Sequence, residues 1–247
     1  MSYRYFSTIS LPSDEAAYPV AVTLEGDEAH HLIHVMRVKE GEPLILFDGS
    51  GAEFDAEITQ VRKKDLTAEI HSRRVEDRES ETKISLAVAL PKGDRQRWLI
   101  EKLVELGAAE FIPLTAERSV AKAGDAAAQR MNRVVVEASK QCGRNTLLSL
   151  AEPVTTKTLF SPEFAAAAEN AQTLKIIAHP NAPTLAELLA RPENQGRKIL
   201  AAIGPEGGFS DAEVAAALES GWEKVSLGKR ILRTETAAIM ICAVVTD

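Results

Sequence analysis

From residue 84 onward the chain alternates continuous apolar runs with helical patterns, and this alternation restricts its fold more than any other feature. The apolar runs lack alternating polarity, so they predict strands that are buried on both faces. Strands separated by helices build a mostly parallel sheet with helices on both faces. The predicted strands are Ile84 to Leu90, Glu110 to Leu114, Leu174 to Ala178, Ile199 to Ile203 and Val225 to Leu227. The predicted helices are Gly93 to Leu106, Ala126 to Gln141, Ala165 to Ala168, Thr184 to Ala190, Asp211 to Glu219 and Thr234 to Val245.

Residues 1–73 have a different pattern, which predicts a small and mostly β domain. Short strand patterns alternate with turn residues, and one helix is predicted from Glu25 to Val38, ended by Gly41. The charged stretch Arg73 to Lys83 is the predicted linker. The expected domains are therefore residues 1–73 and 74–247. The predicted strands of the first domain are Tyr3 to Ile9, Val20 to Leu24, Leu44 to Asp48, Ala52 to Val61 and Leu66 to His71.

Composition excludes several classes of protein. The apolar runs are far too short for a membrane span, and the N-terminus does not have the pattern of a signal peptide. Cys142 and Cys242 are the two cysteines, so no disulfide framework is implied and a reducing cytoplasm is expected. The net charge of -7 argues against nonspecific binding of nucleic acid. It leaves room for a local basic patch.

A glycine-bearing loop, Ile203 to Ser210, joins a predicted strand to a predicted helix. Glycines allow backbone amides to approach a ligand closely, and ligands of open α/β sheets bind at the carboxyl ends of strands. Ser210 followed by Glu213 is typical of a capping box that begins a helix. The spacing fits neither a P-loop nor a dinucleotide-binding fingerprint. The alternative interpretation is a tight βα turn without a ligand.

A second glycine-bearing stretch, Leu227 to Ala237, follows the next predicted strand. Two such loops at successive strand ends predict one shared pocket, in which backbone groups could bind an adenine or an amino-acid group. His30 and His34 lie one helical turn apart, but no third ligand follows, so no metal is expected. Cys142 lacks an evident base, and a buried structural cysteine is the more common case.

In order and spacing, several stretches resemble a known family. They are His30 to Leu32 with Val35 to Arg37, Lys92 to Gly93, Trp98 with Glu101 to Gly107, Glu117 to Val120, Gln141 to Arg144, Ile203 to Ser210 and Leu227 to Ala238. The chain resembles the 16S ribosomal RNA uridine N3-methyltransferases of the SPOUT superfamily. The resemblance implies an α/β fold with a C-terminal trefoil knot, preceded by a small β-barrel-like PUA domain that binds RNA.

The resemblance also implies S-adenosylmethionine as the methyl donor, a homodimer, and a uridine in the decoding-region helix of the small ribosomal subunit as the acceptor. The implied catalytic residues are Arg118, Glu206, Arg233 and Glu235. The implied cofactor-binding residues are Ala178, His179, Ile203, Gly204, Pro205, Glu206, Gly207, Gly208, Leu227, Gly228, Ile231, Leu232, Arg233 and Thr234. The implied RNA-binding residues are Arg37, Lys92, Arg95, Arg144, Lys229 and Arg230. One departure is that acidic residues outnumber basic ones in the first 75 residues.

Two roles follow from the implied chemistry. Uridine N3 is protonated at neutral pH, so Glu206 or Glu235 could accept its proton. Arg233 and Arg118 could stabilise the negative charge that develops on O2 or O4. Two rival functions stay open, namely an RNA-binding assembly factor without catalysis and another nucleotide-binding α/β enzyme such as a hydrolase. The second rival lacks a phosphate loop, a nucleophile elbow and a metal set.

Overall fold

The computed structural model describes residues 3–14, 18–121, 124–167 and 172–246. The chain forms two compact units. The first comprises the residues up to Glu79 together with Val136–Leu147, and the second comprises Ser80–Val135 and the chain from Leu148 onward. The helix Asp125–Cys142 thus contributes its second half to the first unit.

The first unit is built on a sheet of five strands. They are β1 Tyr3–Phe6, β2 Val20–Leu24, β3 Pro43–Phe47, β4 Ala52–Val61 and β5 Leu66–Val75. Their order in the sheet is β1-β3-β4-β5-β2; β1 pairs with β3 in parallel, and the other neighbours are antiparallel. Leu46, Phe54, Ile58 and Ile70 are buried in the core of this unit, as expected for strands with one solvent-exposed face.

The helix of the first unit differs from the prediction in type and in end. An α-helix, α1 (Gly26–His30), continues as a π-helix over His31–Met36. It ends at Arg37, which has a left-handed φ of 56°, so Gly41 does not end it. The apolar spacing of Leu32 and its neighbours is compatible with either helix type, and for this reason the wider turn was not predicted.

The second unit contains a parallel sheet. Its strands are β6 Ile84–Ala89, β7 Glu110–Thr115, β8 Ser149–Leu150, β9 Val154–Thr155, β10 Thr173–Ala178, β11 Lys198–Ile203 and β12 Glu223–Val225. Their order is β12-β10-β11-β6-β7-β8, and β9 pairs with β7 outside that order. The helices are α2 Arg95–Glu105, α3 Asp125–Cys142, α4 Thr156–Leu159, α5 Pro162–Ala167, α6 Leu185–Leu189, α7 Asp211–Glu219 and α8 Thr234–Thr246, with a 3-10 turn at Pro192–Asn194. The predicted α/β fold with a mostly parallel sheet is confirmed.

Helices cover both faces of this sheet. Val214 and Ala217 of α7 pack with Ala87 and Ala202 of the sheet. α8 contacts β6, β11 and α2, and the alternate residues of these strands point to the opposite face. Most predicted helices and strands agree with the structure to within two residues at each end. β8, β9, α4 and the 3-10 turn were not predicted, and Ala168 of the predicted alanine-rich helix lies outside the described residues.

The strand predicted from Val225 to Leu227 is wrong in its bounds, because β12 ends at Val225. Leu227 instead begins a loop. The backbone N–H of Ser226 donates to the Pro183 carbonyl over 2.8 Å, and further on the Thr234 hydroxyl donates to the Gly204 carbonyl over 3.1 Å. α8 then returns across β6 and β11. The trefoil knot that the resemblance implies would be formed by this return of the chain.

No helix within the described residues is both long and apolar enough to cross a membrane.

Candidate functional site

A cavity of about 340 Å³ opens at the carboxyl end of the parallel sheet of the second unit. The loops that follow β10, β11 and β12 form its walls, which is where open α/β sheets bind ligands. Its volume lies within the range of roughly 300–1,000 Å³ that is usual for small-molecule sites. The lining residues are Ala178, His179, Pro180, Ile203, Gly204, Pro205, Glu206, Gly207, Gly208, Phe209, Ser226, Leu227, Gly228, Lys229, Arg230, Ile231, Leu232, Thr234 and Ala237.

The loop after β11 is shaped by close contact with an aromatic ring. A Cβ added at Gly204 would lie 3.1 Å from atoms of the Phe209 ring. That ring is buried and packs edge-on against Phe160, with 5.9 Å between the ring centroids. Gly208 has a φ of +68°, which side chains rarely adopt. The loop therefore requires glycine at 204 for space and at 208 for conformation.

The Glu213 carboxylate connects the loop after β11 to neighbouring segments through hydrogen bonds. The predicted capping box is confirmed, since Ser210 and Glu213 exchange both side-chain-to-backbone hydrogen bonds. The other carboxylate oxygen of Glu213 accepts from the Glu117 N–H over 2.9 Å and from the Thr156 hydroxyl over 2.7 Å. Burial raises the pKa of the Glu213 carboxyl, but these hydrogen bonds outweigh it and hold that pKa below its ordinary value.

Arg118 lies against the outside of the same loop. Its Nη1 donates to the Gly207 carbonyl over 2.8 Å. Its Cδ would lie 3.3 Å from a Cβ at Gly207, so the side chain packs directly on the glycine. Arg118 is exposed and follows β7 at the same edge of the sheet. Its positive charge is thus held next to a wall of the cavity.

The loop after β12 carries the positive charge of the cavity. Gly228 has a φ of +107°, and its N–H donates to the Ser226 hydroxyl over 3.3 Å. Lys229 and Arg230 line the cavity and are exposed. Arg233 is exposed in the same loop and is not among the lining residues found in the described chain. Arg233, which was predicted to bind the cofactor, thus lies next to the cavity wall that its neighbours form.

Glu206 and Glu235 are connected through Arg95. Arg95 Nη1 lies 3.8 Å from Oε1 of Glu206 and 3.5 Å from Oε1 of Glu235. Glu206 lines the cavity with a side chain that is 43% exposed, whereas the Glu235 side chain is 5% exposed. Among the described residues no group hydrogen-bonds to Oε2 of Glu235. The two carboxylates therefore share one cation but differ in access to a ligand.

The structure brings all but one of the cofactor residues predicted from the sequence around one cavity, and Arg233 is the exception. The predicted RNA-binding residues are dispersed. Lys92 and Arg37 are exposed, the latter in the first unit. Arg144 is only 4% exposed, and its Nε and Nη2 donate to the Glu79 carboxylate over 2.8 and 2.6 Å. This bidentate pair argues against a contact between Arg144 and an RNA phosphate.

Two other expectations concern single residues. Cys142 is exposed rather than buried, and it is the last residue of α3. The rings of His30 and His34 are 4.6 Å apart, yet no cluster of potential metal ligands occurs in the described part of the chain. Phe209 and Ala237 line the cavity within the two predicted loops, although neither was predicted to bind the cofactor. Pro180 and Ser226 are the cavity residues outside those loops that the sequence did not indicate, and their position next to predicted cavity residues is the signal that could have suggested them.

Known proteins resemble this chain over nearly its whole length. Residues 78–246 match the profile of an RNA methyltransferase domain, and residues 24–70 match that of an RNA methyltransferase PUA domain. The ribosomal RNA small subunit methyltransferase E of Bacillus subtilis is 33% identical over 96% of this chain and 93% of its own. The Synechocystis sp. protein of the same name is 33% identical over 98% of this chain and 77% of its own.

Solved structures extend the likeness to the fold. The ribosomal RNA small subunit methyltransferase E of Neisseria gonorrhoeae, solved with S-adenosylmethionine bound, superposes with a TM-score of 0.85 at 30% identity and covers 99% of this chain and 96% of its own. A Legionella pneumophila protein solved with the same cofactor has a TM-score of 0.84 at 34% identity, covering 99% of this chain and 97% of its own. With its PUA domain and its RNA methyltransferase domain, the chain belongs to the ribosomal RNA small subunit methyltransferase E family.

Proposed function

We propose that this protein transfers a methyl group from S-adenosylmethionine to N3 of one uridine in the decoding-region helix of 16S ribosomal RNA. The observation that carries the proposal is the cavity formed by the two glycine-bearing loops. It lies in a chain that resembles, over 99% of its length, a small-subunit rRNA methyltransferase solved with that cofactor. An assembly factor without catalysis would not need such a cavity to keep its shape.

The residues around the cavity fit S-adenosylmethionine. Gly204 and Gly208 expose backbone groups that can hydrogen-bond to an adenine or to an amino-acid group. Ile203, Leu227 and Leu232 supply apolar walls for an adenosine. When bound, the cofactor supplies a methyl group whose carbon–sulfur bond breaks with its electron pair left on sulfur. The protein's part is to hold both reactants in line, which contributes much of the rate of such a transfer.

Proton removal from the acceptor is assigned here to Glu206. Uridine N3 must lose its proton to present a lone pair for the new nitrogen–carbon bond, and a carboxylate that faces the ligand can accept it. Glu206 lines the cavity, whereas Glu235 is buried beside Arg95. Glu235 is therefore proposed to position Arg95, and Arg95 in turn holds the Glu206 loop.

Positive charge near the cavity is proposed to stabilise the uridine anion. Arg118 is fixed on the Gly207 carbonyl, and Arg233 is exposed beside the cavity loop. Cations aimed at developing charge lower the barrier most when they are held in place beforehand. Lys229, Arg230, Lys92, Arg95 and Arg37 are proposed to contact RNA phosphates, because charges of this kind supply most of the nonspecific affinity for RNA.

Two copies of the chain are proposed to form the active protein. α2 and α8 contact each other in the second unit. On them Trp98, Met240 and Val244 are large apolar side chains exposed to solvent. Neighbouring exposed apolar residues on packed helices are typical of a surface that binds a second protein chain. A twofold dimer would bury this surface against itself.

Primer extension on 16S RNA tests the proposed reaction. Methylation at N3 blocks base pairing, so reverse transcriptase should stop at the target in RNA from the wild-type strain and read through in RNA from a deletion strain. Restoring the wild-type protein should restore the stop. An unchanged stop in the deletion strain would show that the substrate lies elsewhere. Calorimetry with S-adenosylmethionine distinguishes the enzyme from an assembly factor without catalysis, because an assembly factor that uses no cofactor would show no binding at millimolar ligand.

A further inference from the structure

Ile231 is the most exposed large apolar side chain in the described part of the protein, at 99%. Single apolar residues are common on protein surfaces. Ile231 differs in its location, because it also lines the cavity. A side chain that lines a cavity and is almost completely exposed stands at its mouth. There it can contact a large ligand that covers the opening.

The loop that carries Ile231 is anchored at both ends. On one side Ser226 is bound through its backbone to Pro183. On the other side Thr234 is buried and hydrogen-bonded to the Gly204 carbonyl. Both ends of the loop are thus fixed beside the glycine loop. A loop with fixed ends loses less conformational entropy when its apolar tip inserts into another surface than a loop with free ends.

The neighbours of Ile231 indicate what that surface is. Lys229, Arg230 and Arg233 are exposed within the same loop, in a chain whose net charge is -7. A focused basic patch in an acidic protein attracts a polyanion to that place. An apolar side chain flanked by cations is complementary to a nucleic-acid strand, because the strand presents apolar base faces close to anionic phosphates.

We propose that Ile231 is a wedge that enters the RNA base stack beside the target uridine and fills the gap left when that base turns into the cavity. The inference rests on the proposed function, because N3 lies on the pairing edge and can be reached only in an unpaired base. Apolar side chains that unstack a base step are known from other nucleic-acid-binding proteins. The resemblance assigns Ile231 to the cofactor, whereas its exposure at the mouth favours the RNA.

The test compares two RNA substrates of the same local sequence, one with the target uridine within a helix and one with it in a single strand. Methyl transfer is measured for the wild type, Ile231→Ala and Ile231→Met. The matched control is Leu218→Ala, which changes an exposed apolar side chain of α7. Ile231→Ala should lower kcat/KM on the helical RNA by about tenfold to a hundredfold more than on the single strand, as expected from losing part of an unstacking contact. Ile231→Met should restore most of the difference.

Other results would overturn the wedge. If Ile231→Ala lowered kcat/KM equally on both RNAs, Ile231 would have no role in unstacking the base. A matching loss of S-adenosylmethionine affinity in calorimetry would show that Ile231 covers the cofactor, and a loss of dimer in light scattering would assign it to a second copy. Wild-type protein that methylates neither RNA would end the proposed function. In that case 2-aminopurine placed beside the target uridine tests the wedge independently of methyl transfer. Its fluorescence reports unstacking, so it should rise when the wild type binds and not when Ile231→Ala binds.

Discussion

Glu206 and Glu235 show how burial separates two carboxylates that share Arg95. Both lie within 4 Å of its Nη1 through one oxygen. Glu235 is nearly inaccessible and holds an oxygen without a hydrogen-bond partner among the described residues, which costs free energy unless its charge is compensated. Glu206 faces the cavity. Their positions are the reason for proposing substrate chemistry at Glu206 and support of Arg95 at Glu235.

We expect Glu206→Gln to lower kcat on the order of 10²-fold or more, since proton transfer by a placed group contributes about 10²–10⁴-fold. Glutamine keeps the shape of the loop but cannot accept the N3 proton. Binding of S-adenosylmethionine, measured by calorimetry, should change little. The control is Glu219→Gln, an exposed glutamate on α7. Full turnover in Glu206→Gln would remove it as the base.

Arg233→Ala is expected to lower turnover on the order of 10²-fold, comparable to the loss of one donor that stabilises developing charge. Arg233 lies outside the cavity lining, so affinity for the cofactor should be kept. Arg130→Ala, at an exposed arginine of α3, is the control for a general loss of positive charge. An equal loss of turnover and cofactor affinity would place Arg233 in the cofactor pocket.

Gly204→Ala should destabilise the protein by about 1–3 kcal/mol, the usual cost of overpacking. The new methyl group would meet the rigid Phe209 ring at 3.1 Å. Gly207→Ala is the comparison, because its methyl group would meet the flexible side chain of Arg118 instead. Urea unfolding of both variants tests the difference. A larger loss for Gly207→Ala would show that the ring yields more easily than the arginine.

At the scale of single elements, α7 is a helix whose start the sequence predicts from a local signal. Its signal lies within four residues, from Ser210 to Glu213, and local capping needs no tertiary information. The carboxylate also binds Glu117 and Thr156 from other elements, which the sequence could not show. One glutamate thus begins the helix and ties the loops after β7 and β11 together.

Glu213→Gln should reduce the free energy of unfolding most at neutral pH and less in acid. The folded pKa of Glu213 is lowered, so its contribution is fully present above the unfolded value of about 4.3. It is lost as the pH falls through the lower folded pKa. Thermal unfolding of the wild type and the variant between neutral and acid pH measures the gap. If the difference in stability between the wild type and Glu213→Gln grew as the pH fell, the predicted pH dependence would be wrong.

Other elements show why the sequence was less informative. Leu227 was predicted both to end a strand and to bind the cofactor; the strand ends at Val225, and Leu227 lines the cavity. The resemblance assigned Arg144 to RNA, and its partner Glu79 is too distant in the chain to be recognised from the sequence. The π-helix at His31–Met36 has the same apolar spacing as an α-helix. In each case residue type was compatible with two environments, and only tertiary contacts separate them.

At the scale of the whole molecule, the acidic composition of the first unit has a structural use. Glu53 is buried, and its carboxylate binds Arg4, Arg74 and Arg78. Burial would raise the pKa of Glu53, but the hydrogen bond and charge of Arg4 and the charge of Arg78 hold it below its ordinary value. Several arginines of this unit are therefore engaged in internal ion pairs. Exposed Arg37 is the better candidate there for RNA.

Light scattering is expected to give twice the chain mass of 26.8 kDa at micromolar protein. Trp98→Lys should shift the protein to the mass of one chain, because it places a charge within the apolar surface of α2 and α8. Leu218→Lys, on α7, carries the same change at another exposed apolar position and should stay dimeric. Wild-type protein with the mass of a single chain would contradict the proposed dimer.

The return of α8 across β6 and β11 determines when during synthesis the protein can first work. Ala238, Ile241 and Cys242 of α8 are fully buried in the core of the second unit, and Thr234 closes onto the Gly204 carbonyl. Until α8 has left the ribosome, the cavity lacks a wall and the sheet lacks a cover. A nascent chain that lacks α8 therefore lacks a complete cavity, and the folding of α8 is the step that completes the site.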